Sequence, residues 1–141
     1  MKARIILATD IRSVRGEELG HCGYILQAVK AGEVIAERSS WDACSADRYG
    51  ALLIALRNAT DRLTASADEV EVVTDSQPVE CGIRFMDRWK ESGWKRSKGR
   101  PVARKEVWED IAKTMEGKKM QATRQSVENT LRYLNHGGQY V

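Results

Sequence analysis

Two aspartates each come directly after a short apolar run, and their position is the first indication of chemistry in the chain. Asp10 follows RIILAT and Asp75 follows EVEVVT. Runs of this composition predict buried β-strands. Carboxylates at the ends of neighbouring strands converge at one sheet edge and supply the oxygen ligands that Mg²⁺ prefers. A single strand-end aspartate is usually a turn residue or helix cap, but two in this arrangement make Asp10 and Asp75 candidate metal ligands.

A second group of candidate functional residues lies in a strongly basic segment. From residue 84 to 105 there are nine basic and two acidic residues, whereas the rest of the chain carries 14 basic and 18 acidic residues. A basic segment with interspersed tryptophans on an acidic body is typical of a nucleic-acid-binding protein. The alternative is a solvated charged loop held by core tryptophans. The candidate nucleic-acid-binding residues are Trp89, Lys90, Trp94, Lys95, Arg96, Lys98 and Arg100.

The remaining pattern predicts the elements that must position these residues. Strands are expected at 4–9, 22–29, 34–38, Glu69–Thr74 and Lys119–Arg124, and helices at 46 to about 65, 76–92, 105–115 and 127–134. Residues 11–21 are expected to form a loop, residues 94–103 a basic loop, and Gly137-Gly138 a tail. This order predicts an α/β fold with a five-stranded mixed sheet flanked by helices.

Length and composition limit the class of protein. The 141 residues, 42% apolar and 30% charged, predict a single globular domain over 1–141. The apolar runs are too short for a membrane span, and the first ten residues lack the long apolar region of a signal peptide. Cys22, Cys44 and Cys81 are odd in number and widely spaced, which indicates neither a disulfide framework nor a zinc site. We therefore expect a cytoplasmic protein without a membrane partner.

Three stretches together resemble a known family, type 1 ribonuclease H in the form that carries a basic protrusion. They are ILATD at 6–10, VVTDSQPV at 72–79 and WKESGWKRSKGRPVARKEVW at 89–108. The TDS triplet alone is weak, but the tryptophan and basic pattern at this distance behind it is specific. The predicted element order agrees with the family over roughly residues 1–124. The resemblance places the protrusion at about 89–104.

The resemblance implies an endonuclease that cuts the RNA strand of an RNA/DNA hybrid. In the family, four acidic residues hold two Mg²⁺ or Mn²⁺ ions that activate a water molecule and stabilise the leaving oxygen. Here Asp10 would bridge both ions and Asp75 would bind one. The protrusion would hold the phosphates of the hybrid or of another duplex.

The sequence departs from the family at the other two acids. At the start of the first long helix the family has a glutamate, and this chain has Arg48, with Asp47 about 100° around the helix. The fourth acid falls on Asn129 or Tyr133, depending on the gap. Glu128 is the nearest carboxylate, and its place at a helix start is a sufficient structural reason for it. His136 lies beyond the region and is better interpreted as a tail residue.

These departures lead to a hypothesis about Arg48. A guanidinium at the glutamate position repels metal ions and would pair with Asp10 and Asp75, closing the metal site.

Three interpretations remain open. The first is a hybrid- or duplex-binding protein with hydrolysis lost or weakened, with or without a metal cofactor. The second is an active enzyme in which Asp47, Glu128 or Asn129 assists the two aspartates. The third is a scaffold that binds a protein partner.

Overall fold

The computed structural model describes residues 1–137, which form six β-strands and four α-helices. The elements in chain order are β1 (Lys2–Thr9), β2 (Arg12–Val14), β3 (Glu17–Lys30), β4 (Glu33–Cys44), α1 (Arg48–Thr60), β5 (Glu69–Thr74), α2 (Gln77–Glu91), α3 (Lys105–Thr114), β6 (Lys119–Arg124) and α4 (Glu128–Asn135). A single 3₁₀ turn, Ser97–Gly99, lies between α2 and α3.

The main sheet has the order β4-β3-β1-β5-β6 and mixes both strand directions. The β3 strand runs antiparallel to β4 and to β1, whereas β5 runs parallel to β1 and to β6. The short strand β2 pairs only with the beginning of β3. The predicted five-stranded mixed sheet is therefore confirmed, with β2 as a small sixth strand.

The expected loop at 11–21 is wrong, because most of this stretch forms the hairpin of β2 and β3. Arg15 and Gly16, both with positive φ, make the tight turn between these strands. All residues of β2 and Glu17–Leu19 of β3 are exposed, so no alternation of apolar and polar residues marks them as strands. The β4 strand is longer than the expected 34–38 for the same reason, since it is a mostly exposed edge strand.

The first helix is shorter at both ends than the predicted span of 46 to about 65. Asp47 caps its N-terminus, because its Oδ1 accepts a hydrogen bond of 2.7 Å from the backbone N–H of Gly50. At the other end the helix stops at Thr60, and Asp61 and Arg62 are exposed. One face of this helix points into the core, since Leu52, Ala55 and Leu56 are buried.

Alternating residues of the central strands place one hydrophobic cluster on each face of the sheet. Helices α1, α2 and α3 cover one face and enclose Val72 of β5 together with Leu52 and Trp108. Helix α4 covers part of the other face, where Val73 of β5 packs with Leu134. The strands thus form the middle layer, and the polar residues that follow them reach the sheet edge.

Trp108 links the basic segment to the core. It is fully buried, and its Nε1 donates a hydrogen bond of 2.9 Å to the hydroxyl of Tyr49 in α1. Trp89, near the end of α2, meets the Trp108 ring edge-on with 5.7 Å between ring centroids. The six-membered ring of Trp108 lies against Gly82, where a Cβ atom would stand 2.6 Å from Cη2. The two helices that flank the basic segment are therefore packed tightly together.

None of the helices within residues 1–137 has the length and apolar character needed to cross a membrane.

The contact between Gly82 and Trp108 predicts that Gly82→Ala destabilises the protein. The added methyl group collides with a rigid buried ring, and overpacking of this kind costs about 1–3 kcal/mol. Urea unfolding measures the loss, with Arg84→Ala on the exposed side of the same helix as the control. Equal stability of Gly82→Ala and the wild type would contradict the packing described above.

The pairing of Arg4 with Glu71 predicts a loss of stability in acid. The two residues are level on β1 and β5, and Arg4 Nε donates a hydrogen bond of 2.8 Å that lowers the pKa of Glu71 below its ordinary 4.5. A lowered carboxyl pKa stabilises the fold above 4.5, and this contribution disappears as the pH falls through the folded-state pKa. We expect Glu71→Gln to lose less stability than the wild type below pH 4.5, measured by urea unfolding across that range. Glu91→Gln, an exposed change, should behave as the wild type does.

Candidate active-site edge and nucleic-acid interface

The carboxyl ends of β1 and β5 bring Asp10 and Asp75 to the same edge of the sheet. The two strands are parallel neighbours, with Ile6 level with Val73. Asp10 follows the last residue of β1, and Asp75 follows the last residue of β5. The convergence predicted from the sequence is thus a property of the fold.

Arg48, the first residue of α1, is paired with Asp75. Its Nη2 donates a hydrogen bond of 2.6 Å to Asp75 Oδ1, and about half of the arginine side chain is exposed. A short charge-assisted bond of this kind is among the stronger polar contacts in proteins. The carboxylate of Asp75 is therefore already neutralised by a cation that belongs to the chain.

Asp10 has a different partner, His21 of β3, so the predicted pair between Arg48 and Asp10 is wrong. The backbone N–H of His21 donates to Asp10 Oδ1 at 2.5 Å, and His21 Nδ1 lies 3.3 Å from Asp10 Oδ2. The His21 ring stacks on Trp41 of β4, with 5.5 Å between centroids and 19° between planes. Within residues 1–137, Asp75 is the carboxylate that Arg48 bonds.

Sequence reasoning did not single out His21 and Trp41, and the register explains why. His21 lies opposite Ala43 on β4, next to Trp41 only across the sheet. The one local signal is Gly20, whose φ is +152° and where a Cβ atom would stand 2.8 Å from Asp10 Oδ1. A glycine at this point lets the backbone of β3 approach the aspartate closely.

Asp47 is occupied by structural contacts. Besides capping α1, its Oδ1 accepts a hydrogen bond of 3.0 Å from Nη2 of Arg104. Arg104 precedes α3 in a left-handed conformation with φ +57°. The pair thus ties the far end of the protrusion to the beginning of α1.

In the described part of the chain, the carboxylates of the last helix form no acidic cluster with the two aspartates. Asn129 is exposed in the first turn of α4, and Glu128 pairs with Arg132 at 2.6 Å on the same helix. Within residues 1–137, no group of three or more His, Cys, Asp or Glu side chains could hold a metal ion. The residues present therefore do not fit the four-acid, two-ion site that the resemblance implies.

The protrusion folds back on itself as a compact arch. Lys95 and Pro101 form an isolated antiparallel bridge, and the Arg96 N–H donates to the Arg100 carbonyl at 2.7 Å. Below this, the N–H of buried Val102 donates to the Trp94 carbonyl at 3.0 Å. The turn between the two sides therefore presents short segments of backbone with their side chains outward.

The aromatic and basic side chains of the protrusion have different environments. Trp89 and Trp94 are half-buried and pack against the core, whereas Lys90 is exposed and lies 3.6 Å from Glu116. Four cations at the tip are exposed and take part in none of the ion pairs found within residues 1–137. They are Lys95, Arg96, Lys98 and Arg100.

Comparison with known proteins agrees with this architecture. The chain is 36% identical over 95 residues to a ribonuclease H from Roseobacter denitrificans, a match that covers 65% of this chain and 62% of that protein. The chain thus spans less than two thirds of this relative's length.

Solved structures share the fold at low sequence identity. A foamy viral protease-reverse transcriptase in complex with double-stranded DNA superposes with a TM-score of 0.73 at 15% identity, covering 96% of this chain and 88% of that one. LC9-RNase H1, a type 1 RNase H with the type 2 active-site motif, gives 0.63 at 21% identity, covering 99% and 75%.

The sequence model of the RNase H family matches residues 2–126, which include both strand-end aspartates and the whole protrusion and end just before α4. The chain belongs to the RNase H family.

Proposed function

We propose that this protein binds an RNA/DNA hybrid or another nucleic-acid duplex through its basic protrusion, with hydrolysis of the RNA strand lost or much weakened. The observation that carries the proposal is the hydrogen bond of 2.6 Å between Arg48 and Asp75. Through this bond, Arg48 holds a fixed positive charge at the place where the family uses carboxylates to attract metal ions.

Charge explains why the pair matters. Two divalent ions bring four positive charges, and like charges at short range near a protein surface repel by a few kcal/mol. To admit a metal ion at Asp75, the chain must break the arginine–carboxylate bond and move the guanidinium away. Asp10, already bonded by His21 through both carboxylate oxygens, has reduced capacity to accept a metal as well. We infer that the affinity of this edge for divalent ions is low.

The protrusion supports the binding half of the proposal. Its four tip cations have no ion-pair partner within the described part of the chain. A phosphate group can therefore bind them without breaking an existing ion pair. The half-buried Trp89 and Trp94 fix the base of the arch against the core. Binding through phosphates positions a duplex without reading its base sequence.

One observation favours an active enzyme as a second candidate. About half of the Arg48 side chain is exposed, so rotation into solvent meets little steric resistance. In that case Asp10 and Asp75 would bind metal ions with another group replacing the missing glutamate. The two candidates make opposite predictions for hydrolysis.

Removing the charge of the tip should weaken duplex binding and its dependence on salt. Lys95, Arg96, Lys98 and Arg100 are all changed to Ala. We expect the negative slope of the logarithm of the association constant against the logarithm of the salt concentration to become shallower by about 3 to 4, since each neutralised phosphate contributes about 0.9 to its magnitude. Fluorescence anisotropy with a labelled RNA/DNA hybrid at several salt concentrations measures the slope.

The matched control removes four exposed cations elsewhere, Lys30, Arg38, Arg62 and Lys113. This variant has the same change in net charge and should lose much less affinity. Equal losses in the two variants, or no loss in the first, would leave the protrusion without a role and favour a protein-binding scaffold.

Removing the guanidinium should restore metal affinity. We expect Mg²⁺ or Mn²⁺ to leave the melting temperature of the wild type nearly unchanged and to raise that of Arg48→Glu by several degrees, because a metal that binds only the folded state stabilises it. Arg48→Gln, which removes the cation without adding a carboxylate, should respond less. Differential scanning fluorimetry across a metal titration measures each shift.

Hydrolysis is tested on the same samples with a labelled RNA/DNA hybrid in Mg²⁺ and in Mn²⁺. We expect binding by the wild type without cleavage above the level of Asp10→Asn, the control for contaminating nuclease. Metal-dependent cleavage by the wild type that Asp10→Asn abolishes would overturn the proposal in favour of the active enzyme.

A further inference from the structure

Two of the three cysteines lie side by side next to the candidate site. In the pairing of β3 with β4, Cys22 is opposite Asp42 and Cys44 is opposite Gly20, so the two cysteines are diagonal neighbours on one face of the sheet. Both contact the hydrophobic cluster beneath α1. Cys81 lies apart from them on α2.

The Cys44 side chain also affects the Cys22 thiol. Burial raises the pKa of Cys22 to about 12, and the neighbouring Cys44 side chain adds to this effect. Asp42 and Asp10 act on the Cys22 thiol in the same direction. Diagonal residues of an antiparallel pair lie roughly 7–8 Å apart, at or just beyond the roughly 7 Å that a disulfide spans, so the bond requires β3 and β4 to move slightly toward each other at this point.

We propose that Cys22 and Cys44 form a dithiol site that a hydroperoxide oxidises to an intramolecular disulfide between β3 and β4. The two thiols are free in this structure. Nothing in the proposed nucleic-acid binding uses them, so this modification site is independent of that function.

Burial assigns the two cysteines different parts in the reaction. Cys44 is half-buried and reachable from solvent, whereas Cys22 is buried with 4% exposure. The Cys44 thiolate attacks an oxygen of the hydroperoxide, the O–O bond breaks, and water or an alcohol leaves after protonation. Cys44 becomes a sulfenic acid.

Cys22 then completes the disulfide. Once the Cys44 thiolate has become a neutral sulfenic acid, there is no longer a negative charge on Cys44 that opposes ionisation of Cys22. The Cys22 sulfur attacks the Cys44 sulfur, the S–O bond breaks, and the leaving hydroxide takes the proton of Cys22 as water. In sum, two thiols lose two electrons and two protons, and the peroxide is reduced.

The location of the pair gives the disulfide a structural consequence. Cys22 follows His21, which holds Asp10, and Cys44 precedes Asp47, the cap of α1, by three residues. A bond between the two cysteines therefore joins the strand that holds Asp10 to the segment that leads into Arg48. It also closes the long β3–β4 hairpin covalently.

The test is oxidation of the full chain with hydrogen peroxide, followed by blocking of free thiols with iodoacetamide and intact and peptide mass spectrometry. We expect the wild type and Cys81→Ser to lose two hydrogens and to yield a peptide pair joined through Cys22 and Cys44. Cys44→Ser should form no intramolecular disulfide. This variant alters a half-buried side chain, so its folding is checked by circular dichroism in the same experiment.

Thermal unfolding provides a second readout. Oxidised wild type should melt roughly 5 °C above its reduced form, since the disulfide restricts the unfolded chain, and Cys44→Ser should show no such difference. Three alkylated thiols after oxidation, a disulfide that includes Cys81, or a Cys44 sulfinic acid without a disulfide would each overturn the proposal.

Discussion

The parallel pairing of β1 with β5 is the constraint on which the rest of this structure depends. It places the ends of two non-consecutive strands side by side, and so brings two aspartates 65 positions apart to the same edge of the sheet. The same two strands supply alternating side chains to both hydrophobic clusters. Any change that separates them removes the site and the core together.

Both carboxylates at this sheet edge have hydrogen-bond partners within the chain. Arg48 satisfies Asp75, and His21, supported by its stacking on Trp41, satisfies Asp10. Carboxylates that converge without such partners repel one another, and in the RNase H family metal ions remove that repulsion. In this chain, bonds from Arg48 and His21 hold the two aspartates at this edge.

The protrusion is built on a different part of the core from that edge. Trp108 and Trp89 fix its two ends through packing, and two polar contacts link this region to the beginning of α1, Arg104 with Asp47 and Trp108 with Tyr49. The tip cations depend on solvent exposure and not on the geometry of the aspartates.

The sequence by itself determined the fold class, the two strand-end aspartates and the basic segment. Each depends on a local pattern, such as the apolar run before Asp75 or the density of Lys and Arg after Trp94. Strands Glu69–Thr74 and Lys119–Arg124 matched their predicted bounds because they are bracketed by turns and polar residues. The placement of Arg48 near the start of the first long helix followed from the resemblance to the family, and the structure has it as the first residue of α1.

Only the tertiary structure decided which partner each carboxylate takes. Arg48 reaches Asp75 and not Asp10, and His21 lies beside Asp10 only because β3 pairs with β1 in one register. The exposed hairpin of β2 and the diagonal placement of Cys22 and Cys44 were likewise absent from the prediction. These features depend on cross-strand register and strand twist, and residues that meet across a sheet leave no periodic signal in the linear chain.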